Sequence, residues 1–361
     1  MDNQSSKLIN FTYQISWKDK ILLYEHLSNL LEGGVTILVA LESFIEKTSN
    51  PKIREEIGGL FLLVNSGDQV SLAMKKMPNI FDKREISIIE AGENSGTIQK
   101  SFLSLAEDLR KKEELKTKVK SSLTYPFIIM CFLLIAITIV MYYVIPKFQP
   151  IFETVGANMP FATQSLINTS NFVVGNFGLI IFLIFLGAIS FKIFTMSDFG
   201  KYFIDDLKLK TPLIGPVYKN YILSNIASSL GLLLGAGIDI IKSLKLTAES
   251  SDNEVYKLLI YEIGAQVSSG KKISESIEEI DSEHKFFKSD FIQMLNAGEK
   301  TSTLNKIFQK LFVQYTREVD NSLSIFIKWI EPMAILIASI FVLWFALAIL
   351  SVVLQMSNLN F

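Results

Sequence analysis

The sequence predicts an all-α protein: two copies of a cytoplasmic helical-bundle domain of several short helices each, and three transmembrane helices. Three observations carry this. Three long runs contain no charged side chain, a domain-sized block occurs twice, and strand patterning is poor outside the apolar runs. In the first block Leu23, Leu27, Leu30 and Leu31 recur at helical spacing, and Gly33-Gly34 then breaks the pattern before a second amphipathic run begins. Short antiparallel helices with a shared apolar face are the packing that such a pattern supports.

Taken in order, residues 1–16 form a polar N-terminal tail without a signal-peptide apolar core. Residues 17–120 are the first bundle. Residues 121–146, "SSLTYPFIIMCFLLIAITIVMYYVIP", are the first span, since a helix needs about 20 apolar residues to cross the hydrocarbon core. Residues 147–170 are expected as a short external loop. Residues 171–194, centred on "FVVGNFGLIIFLIFLGAISF", are the second span. Residues 195–328 are the second bundle, 329–355 the third span, and 356–361 an external tail. Arg110, Lys111, Lys112, Lys116, Lys118 and Lys120 crowd the approach to the first span, and Lys192, Lys201, Lys208 and Lys210 follow the second. Basic residues stay on the cytoplasmic side, which puts the N-terminus and both bundles inside and the C-terminus outside.

The two bundles align residue by residue. "LLEGGVTILVAL" (30–41) matches "LLGAGIDIIKSL" (233–244), which pairs the turn glycines Gly34 and Gly237. "VNSG" ending at Gly67 matches "VSSG" ending at Gly270. Ala91-Gly92-Glu93 matches Ala297-Gly298-Glu299, after an insertion around Asp281–Phe286 in the second copy. Pro126 and Pro332 open the first and third spans in the same register, at a bend or a helix start. After the Ala-Gly-Glu motif, Ile98, Phe102, Leu105 and Leu109 fall on one helix face, as do Leu304, Phe308, Leu311 and Tyr315. The motif therefore reads as a helix–helix joint. Gly permits a left-handed residue where one helix stops, and the hydroxyls of "NSGT" and "KTST" are expected to cap the next. Glu93 and Glu299 have two readings: a carboxylate bonded to orphan amides at that corner, or a cation site. The first is adopted, because no second ligand is fixed in sequence.

Enzyme chemistry finds little material. One cysteine, Cys131, and two histidines, His26 and His284, leave no zinc pattern. "GAQVSSGKKIS" (264–274) misses the phosphate-loop spacing by one residue and repeats "VNSGDQVS" of the first copy. A net charge of −1 argues against nucleic-acid binding. No catalytic residue, cofactor or resident metal is expected. The span cores lack ionisable residues, which weighs against coupled transport; an oligomeric transporter or channel component is kept as the alternative.

Two Leu-Leu-x-x-Gly…Ala-Gly-Glu bundles, each leading into a membrane helix, resemble the inner-membrane platform proteins of type IV pilus, type II secretion and competence-pilus machines. The resemblance runs from about Trp17 to Leu350 and includes "IPKFQPIFETVGANMPFAT" (145–163), "TPLIGPVYKNY" (211–221) and Ile330-Glu331-Pro332. The order and spacing of these segments, rather than any one of them, carry it. Ser302 departs from the pattern where the first copy has Gly96, and the tail lacks a proline-containing ending. The resemblance implies six-helix bundles and a scaffold without chemistry of its own. Its implied partners are a hexameric cytoplasmic assembly ATPase, pilin or pseudopilin subunits, other inner-membrane assembly proteins, the bilayer, and further copies of itself, as a dimer. On that footing Arg110, Lys111, Lys112 and Lys116 are candidates for docking an acidic ATPase surface, although the plainer reading of this basic run is a solvated helix end.

Overall fold

The computed structural model describes residues 15–147, 150 and 161–359. Every regular element among them is helical. The first repeat holds α1 (Trp17–Glu32), α2 (Ile37–Lys47), α3 (Pro51–Asn65), α4 (Val70–Lys75), α5 (Lys83–Asn94) and α6 (Ile98–Ile139). Three helices follow: α7 (Phe161–Gly175), α8 (Phe177–Met196) and α9 (Asp198–Lys210). The second repeat holds α10 (Ile214–Gly235), α11 (Ile240–Glu249), α12 (Glu254–Ser268), α13 (Ile273–Ile280), α14 (Ser289–Lys300) and α15 (Leu304–Leu359). Each repeat thus has six helices, as expected.

Local chemistry sets the helix starts in both copies. Ser16 accepts from the Asp19 amide at the head of α1, and Asn50 from the Lys52 amide at the head of α3, with Pro51 in the first turn. Asp82 and Glu85 form a reciprocal capping box on α5. In the second copy Asp239 accepts from Lys242 and Asn253 from Tyr256. Gly34 and Gly237 both have φ of +80°, a left-handed turn that a Cβ would strain. The insertion in the second copy is organised by one carboxylate: Asp281 accepts from the amides of Lys285, Phe286 and Phe287 at 2.7–2.8 Å.

The chain divides into two compact units. The first contains residues up to Thr117 together with Asp205–Asp320, so both bundles belong to one body. The reason is apolar: Leu233, Ile238 and Leu246 of the second repeat are buried in the same core as Leu27, Leu41, Ile88 and Phe102 of the first. A second core, within the second repeat, is built on Tyr256, Phe287, Phe291 and Tyr315, whose rings meet at centroid distances of 5.5–5.7 Å.

The second unit contains Lys118–Ile204 and Asn321–Phe361. Three helices carry an apolar stretch long enough to cross a membrane, over 98–147, 177–196 and 304–351. The first and third spans are not separate helices: α6 and α15 run unbroken from bundle into apolar stretch, with Pro126 and Pro332 inside them rather than at a helix start. The helix over 171–194 breaks at Asn176, so the apolar helix is 177–196. Of the expected external loop, residues 161–170 are helical and belong to α7. Most of the expected tail, up to Leu359, continues α15. The remaining loop and tail residues lie outside the described residues, as does most of the N-terminal tail.

Helix α6 ends in a π-helical turn, Val140–Val144, and there Met141 and Ile145 pack with Leu166 and Ala348. Hydroxyls complete this cluster. Ser170 Oγ donates to the Met141 carbonyl (2.6 Å), Thr163 Oγ1 to the Ala348 carbonyl (2.8 Å), and Trp344 Nε1 to Ser165 Oγ (3.1 Å). A π turn frees carbonyls from the regular ladder, and α7 supplies the donor that one of them takes.

Candidate functional site

The two repeats meet along a polar seam. Residues 84, 108 and 112 of α5 and α6 face Ser228 and Ser229 of α10 (all buried but Ser228). Asp108 lies 3.1 Å from Arg84 Nη1 and 3.1 Å from Lys112 Nζ. It also accepts from Ser228 Oγ at 2.5 Å. Ser229 Oγ accepts from Arg84 (2.9 Å) and Lys112 (3.3 Å). Burial by itself would raise the Asp108 pKa, but Lys112 and Arg84, with Ser228, outweigh it and hold the carboxyl down to about 2. Burial and the neighbouring Arg84 lower the pKa of Lys112. Beside this triad Lys20 Nζ reaches both oxygens of fully buried Glu85, at 2.7 and 3.0 Å. Burial and Asp82 nonetheless raise the Glu85 pKa.

The seam borders a cavity of about 370 Å³, walled by Trp17, Lys20 and Arg84 from one repeat and by Tyr218, Tyr221 and Asn253 from the other. Charges of both signs line it, including Asp82, Glu249 and Asp252. Further ion pairs edge the seam: Lys83 with half-buried Glu249 at 2.9 Å and exposed Lys242 with Glu90 at 3.8 Å.

The Ala-Gly-Glu motifs form equivalent joints in both copies. Glu93 accepts from the amides of Val70 (2.6 Å) and Ser71 (3.0 Å). Glu299 accepts from the amides of Ile273 (2.5 Å) and Ser274 (3.3 Å) and from the Ser274 hydroxyl. These amides open α4 and α13, neither of which has a side-chain cap of its own. The carboxylates therefore cap a helix that precedes the motif, not the one that follows it. Both oxygens of each are committed to such donors. Among the described residues no group of three or more His, Cys, Asp or Glu side chains is placed to hold a metal ion.

Gly92 and Gly298 serve close packing rather than a left-handed stop. A Cβ on Gly92 would lie 2.2 Å from Ser101 Oγ, and one on Gly298 2.7 Å from Ile307 Cγ1. Ala91 and Ala297 supply the carbonyls to which Ser95 and Thr301 hydroxyls bond back, at 2.7 and 2.9 Å. The hydroxyls thus close the preceding helix, where capping of the next was expected. The left-handed residues are Gly96 (φ +69°) and Ser302 (φ +54°), so the second corner keeps its shape despite the serine.

The docking candidates separate. Lys111 is exposed. Arg110 pairs with Glu25, and Lys116 lies 4.5 Å over the Trp17 ring. Lys112 is not available to a partner. Four residues after Asp108, it falls on the same inward face of α6 and is buried in the seam.

With this geometry in place, comparison with known proteins is direct. The family model described as "Type II secretion system (T2SS), protein F" matches residues 23–146 and again 226–352, one match per repeat-plus-span. The chain belongs to this family. Its relatives carry two kinds of name. A type IV pilus assembly protein PilC of Pseudomonas aeruginosa is 27% identical over 343 residues, covering 94% of this chain and 90% of that protein. A PilC of Thermus thermophilus is 27% identical over 326 residues, covering 90% and 79%. A type II secretion system protein F of Aeromonas hydrophila is 23% identical over 357 residues, covering 99% and 91%. Family membership and three apolar helices make this a membrane protein of pilus or secretion machinery.

Proposed function

We propose that this chain is the polytopic inner-membrane platform of a type IV pilus or type II secretion machine, coupling a cytoplasmic assembly ATPase to insertion of pilin into a filament. In this reading the N-terminus and both bundles are cytoplasmic, the C-terminus is external, and the protein acts as an oligomeric scaffold rather than an enzyme. The observation that carries it is the continuity of α6 and α15, 42 and 56 residues long, each of which is a bundle helix at one end and an apolar helix at the other.

The physical argument is one of stiffness. The bundles share a core and a buried ionic seam, so a force on either moves both. An unbroken helix carries that displacement without a loop to absorb it. Pro126 and Pro332 donate no amide, which leaves the carbonyls of Ser122 and Lys328 without their helical partner and sets a fixed point for bending. Hexameric ATPase motion at the bundles would then tilt or turn the apolar helices against pilin in the bilayer. Exposed Lys111 and Lys116, rather than buried Lys112, are the basic residues open to the ATPase. Substituting both by Glu should abolish filaments while the protein remains at normal levels in the membrane. Normal filament assembly by that variant would contradict the coupling role of this surface.

A further inference from the structure

Helix α8 has 20 residues, and none of them is buried against the rest of the described chain. At 1.5 Å per residue it is about 30 Å long, the thickness of a hydrocarbon core. The crossing therefore uses up the whole helix and leaves Met196 at the edge of the hydrocarbon. No loop follows. A single residue, Ser197, with extended backbone (φ −80°, ψ 148°), turns the chain into α9. Ser197 Oγ donates to the Phe194 carbonyl at 2.9 Å and accepts from the Gly200 amide at 3.0 Å. A Cβ on Gly200 would collide with that same carbonyl, so the first turn of α9 sits directly against the last turn of α8. The rings of Phe194, Phe199 and Phe203 close the elbow, with centroids 6.3–6.5 Å apart.

This elbow carries an apolar face without protein cover. At 3.6 residues per turn, Phe199, Tyr202 and Phe203 share one arc of α9, and Asp198, Lys201, Asp205 and Lys208 share the opposite one. Phe199 is 72% exposed, Phe203 51% and Tyr202 43%, and Met196 just before the turn is 72% exposed. Lys192 and Lys201, on either side of the elbow, are also exposed.

We infer that the first two turns of α9 lie in the phospholipid headgroup layer of the bilayer that α8 crosses, with Phe199, Tyr202 and Phe203 toward the acyl chains and Lys201 toward water. Reach decides the occupant. Phe199 is three residues beyond Met196, at most about 11 Å of chain, and the closed elbow holds it nearer still. The headgroup layer on each side of the hydrocarbon is about 5–8 Å deep, so these rings cannot leave the neighbourhood of the lipid. An amphipathic helix seated there buries its apolar face about 5–10 Å into the headgroup–acyl boundary, and aromatic side chains are favoured at that level. The inference rests on α8 being a membrane helix and on no partner protein. It moves residues 198–204 from the cytoplasmic bundle, where composition put them, to the membrane surface. The far end of the same helix belongs to the second repeat, whose core buries Leu209. In α9 the bundle thus has a membrane footing that does not pass through α6 or α15.

The test uses the full-length chain with Cys131→Ser, reconstituted into phosphatidylcholine–phosphatidylglycerol vesicles. A nitroxide is placed on one cysteine at a time, and its collisions with molecular oxygen, which enters lipid, and with a nickel chelate, which stays in water, are compared. F199C and F203C should favour oxygen, at a depth of about 5–10 Å below the phosphates, and K201C should favour the chelate. Y202C reports on the same face if losing a ring of the stack unfolds the elbow. I184C, midway along α8, and L62C, exposed on α3, mark the lipid and water limits. Chelate access at 199, 202 and 203 equal to that at 62, with 184 in lipid, would overturn the inference alone. Shielding of 199, 202 and 203 from both reagents would overturn it too, since protein would then cover the face. Chelate access at 184 as well would overturn the membrane placement of α8, and the inference with it.

Discussion

At the residue scale the second Ala-Gly-Glu corner carries an avoidable strain. Ser302 holds φ at +54°, where its equivalent is Gly96. A left-handed non-glycine costs on the order of 1 kcal/mol, so Ser302→Gly should stabilise the protein by about that much, seen as a higher thermal midpoint in detergent. Gly92→Ala should do the reverse. Its Cβ would meet Ser101 at well under contact distance, and overpacking of this kind costs about 1–3 kcal/mol. Glu93→Ala and Glu299→Ala should each lower stability by about 1–2 kcal/mol, because each strips the cap from a helix that has no other. The sequence made the type of interaction legible, a carboxylate on orphan amides, but not its address. Which helix start lies beside Glu93 is a tertiary fact: the connection between α4 and α5 must fold the chain back before Val70 and Glu93 meet, and no spacing rule reaches across 23 residues of folded chain.

At the element scale the seam between α5, α6 and α10 is the most exacting feature. Removing one partner of a buried ion pair costs about 3–5 kcal/mol, since the other charge stays buried. Asp108→Asn should therefore destabilise the chain by about 3 kcal/mol at neutral pH. The pH dependence of that difference identifies its source. Asp108 has a folded pKa near 2 against an ordinary 3.8, so its contribution is present above pH about 4 and fades as pH falls toward 2. Glu85 runs the other way. Its raised folded pKa favours the folded state on acidification and disfavours it as pH rises through that value. The stability gap between wild type and Asp108→Asn should thus narrow by roughly 2 kcal/mol between pH 4 and pH 2; a constant gap would mean that the carboxylate charge is not what holds the seam. The helical class and the turns at Gly34, Gly67, Gly237 and Gly270 were readable from apolar periodicity and turn residues. Element limits in the membrane region were not. Thr163, Ser165 and Ser170 look like loop residues by composition, and they become helical because their hydroxyls find carbonyl and indole partners on α6 and α15.

For the whole molecule, the repeat announced two bundles, and their union into one body is what the structure adds. Nothing in the sequence marks Arg84 or Asp108, and Lys112 sits in a basic run that reads as a solvated helix end or a docking candidate. Only the packing of Leu233, Ile238 and Leu246 into the first repeat's core brings Ser228 and Ser229 over them and removes them from solvent. One body from which α6 and α15 continue unbroken into apolar stretches is the form that the proposed force-transmitting platform would need, and the proposal is that it links an ATPase to pilins. The most direct measurement is a cross-linked pull-down of the tagged protein from native membranes, with bound proteins identified by mass spectrometry. Co-recovery of a secretion-type assembly ATPase and pilin-like subunits, lost for the ATPase alone when Lys111 and Lys116 become Glu, is the predicted result. Recovery of neither, from membranes shown to contain both, would contradict the platform account.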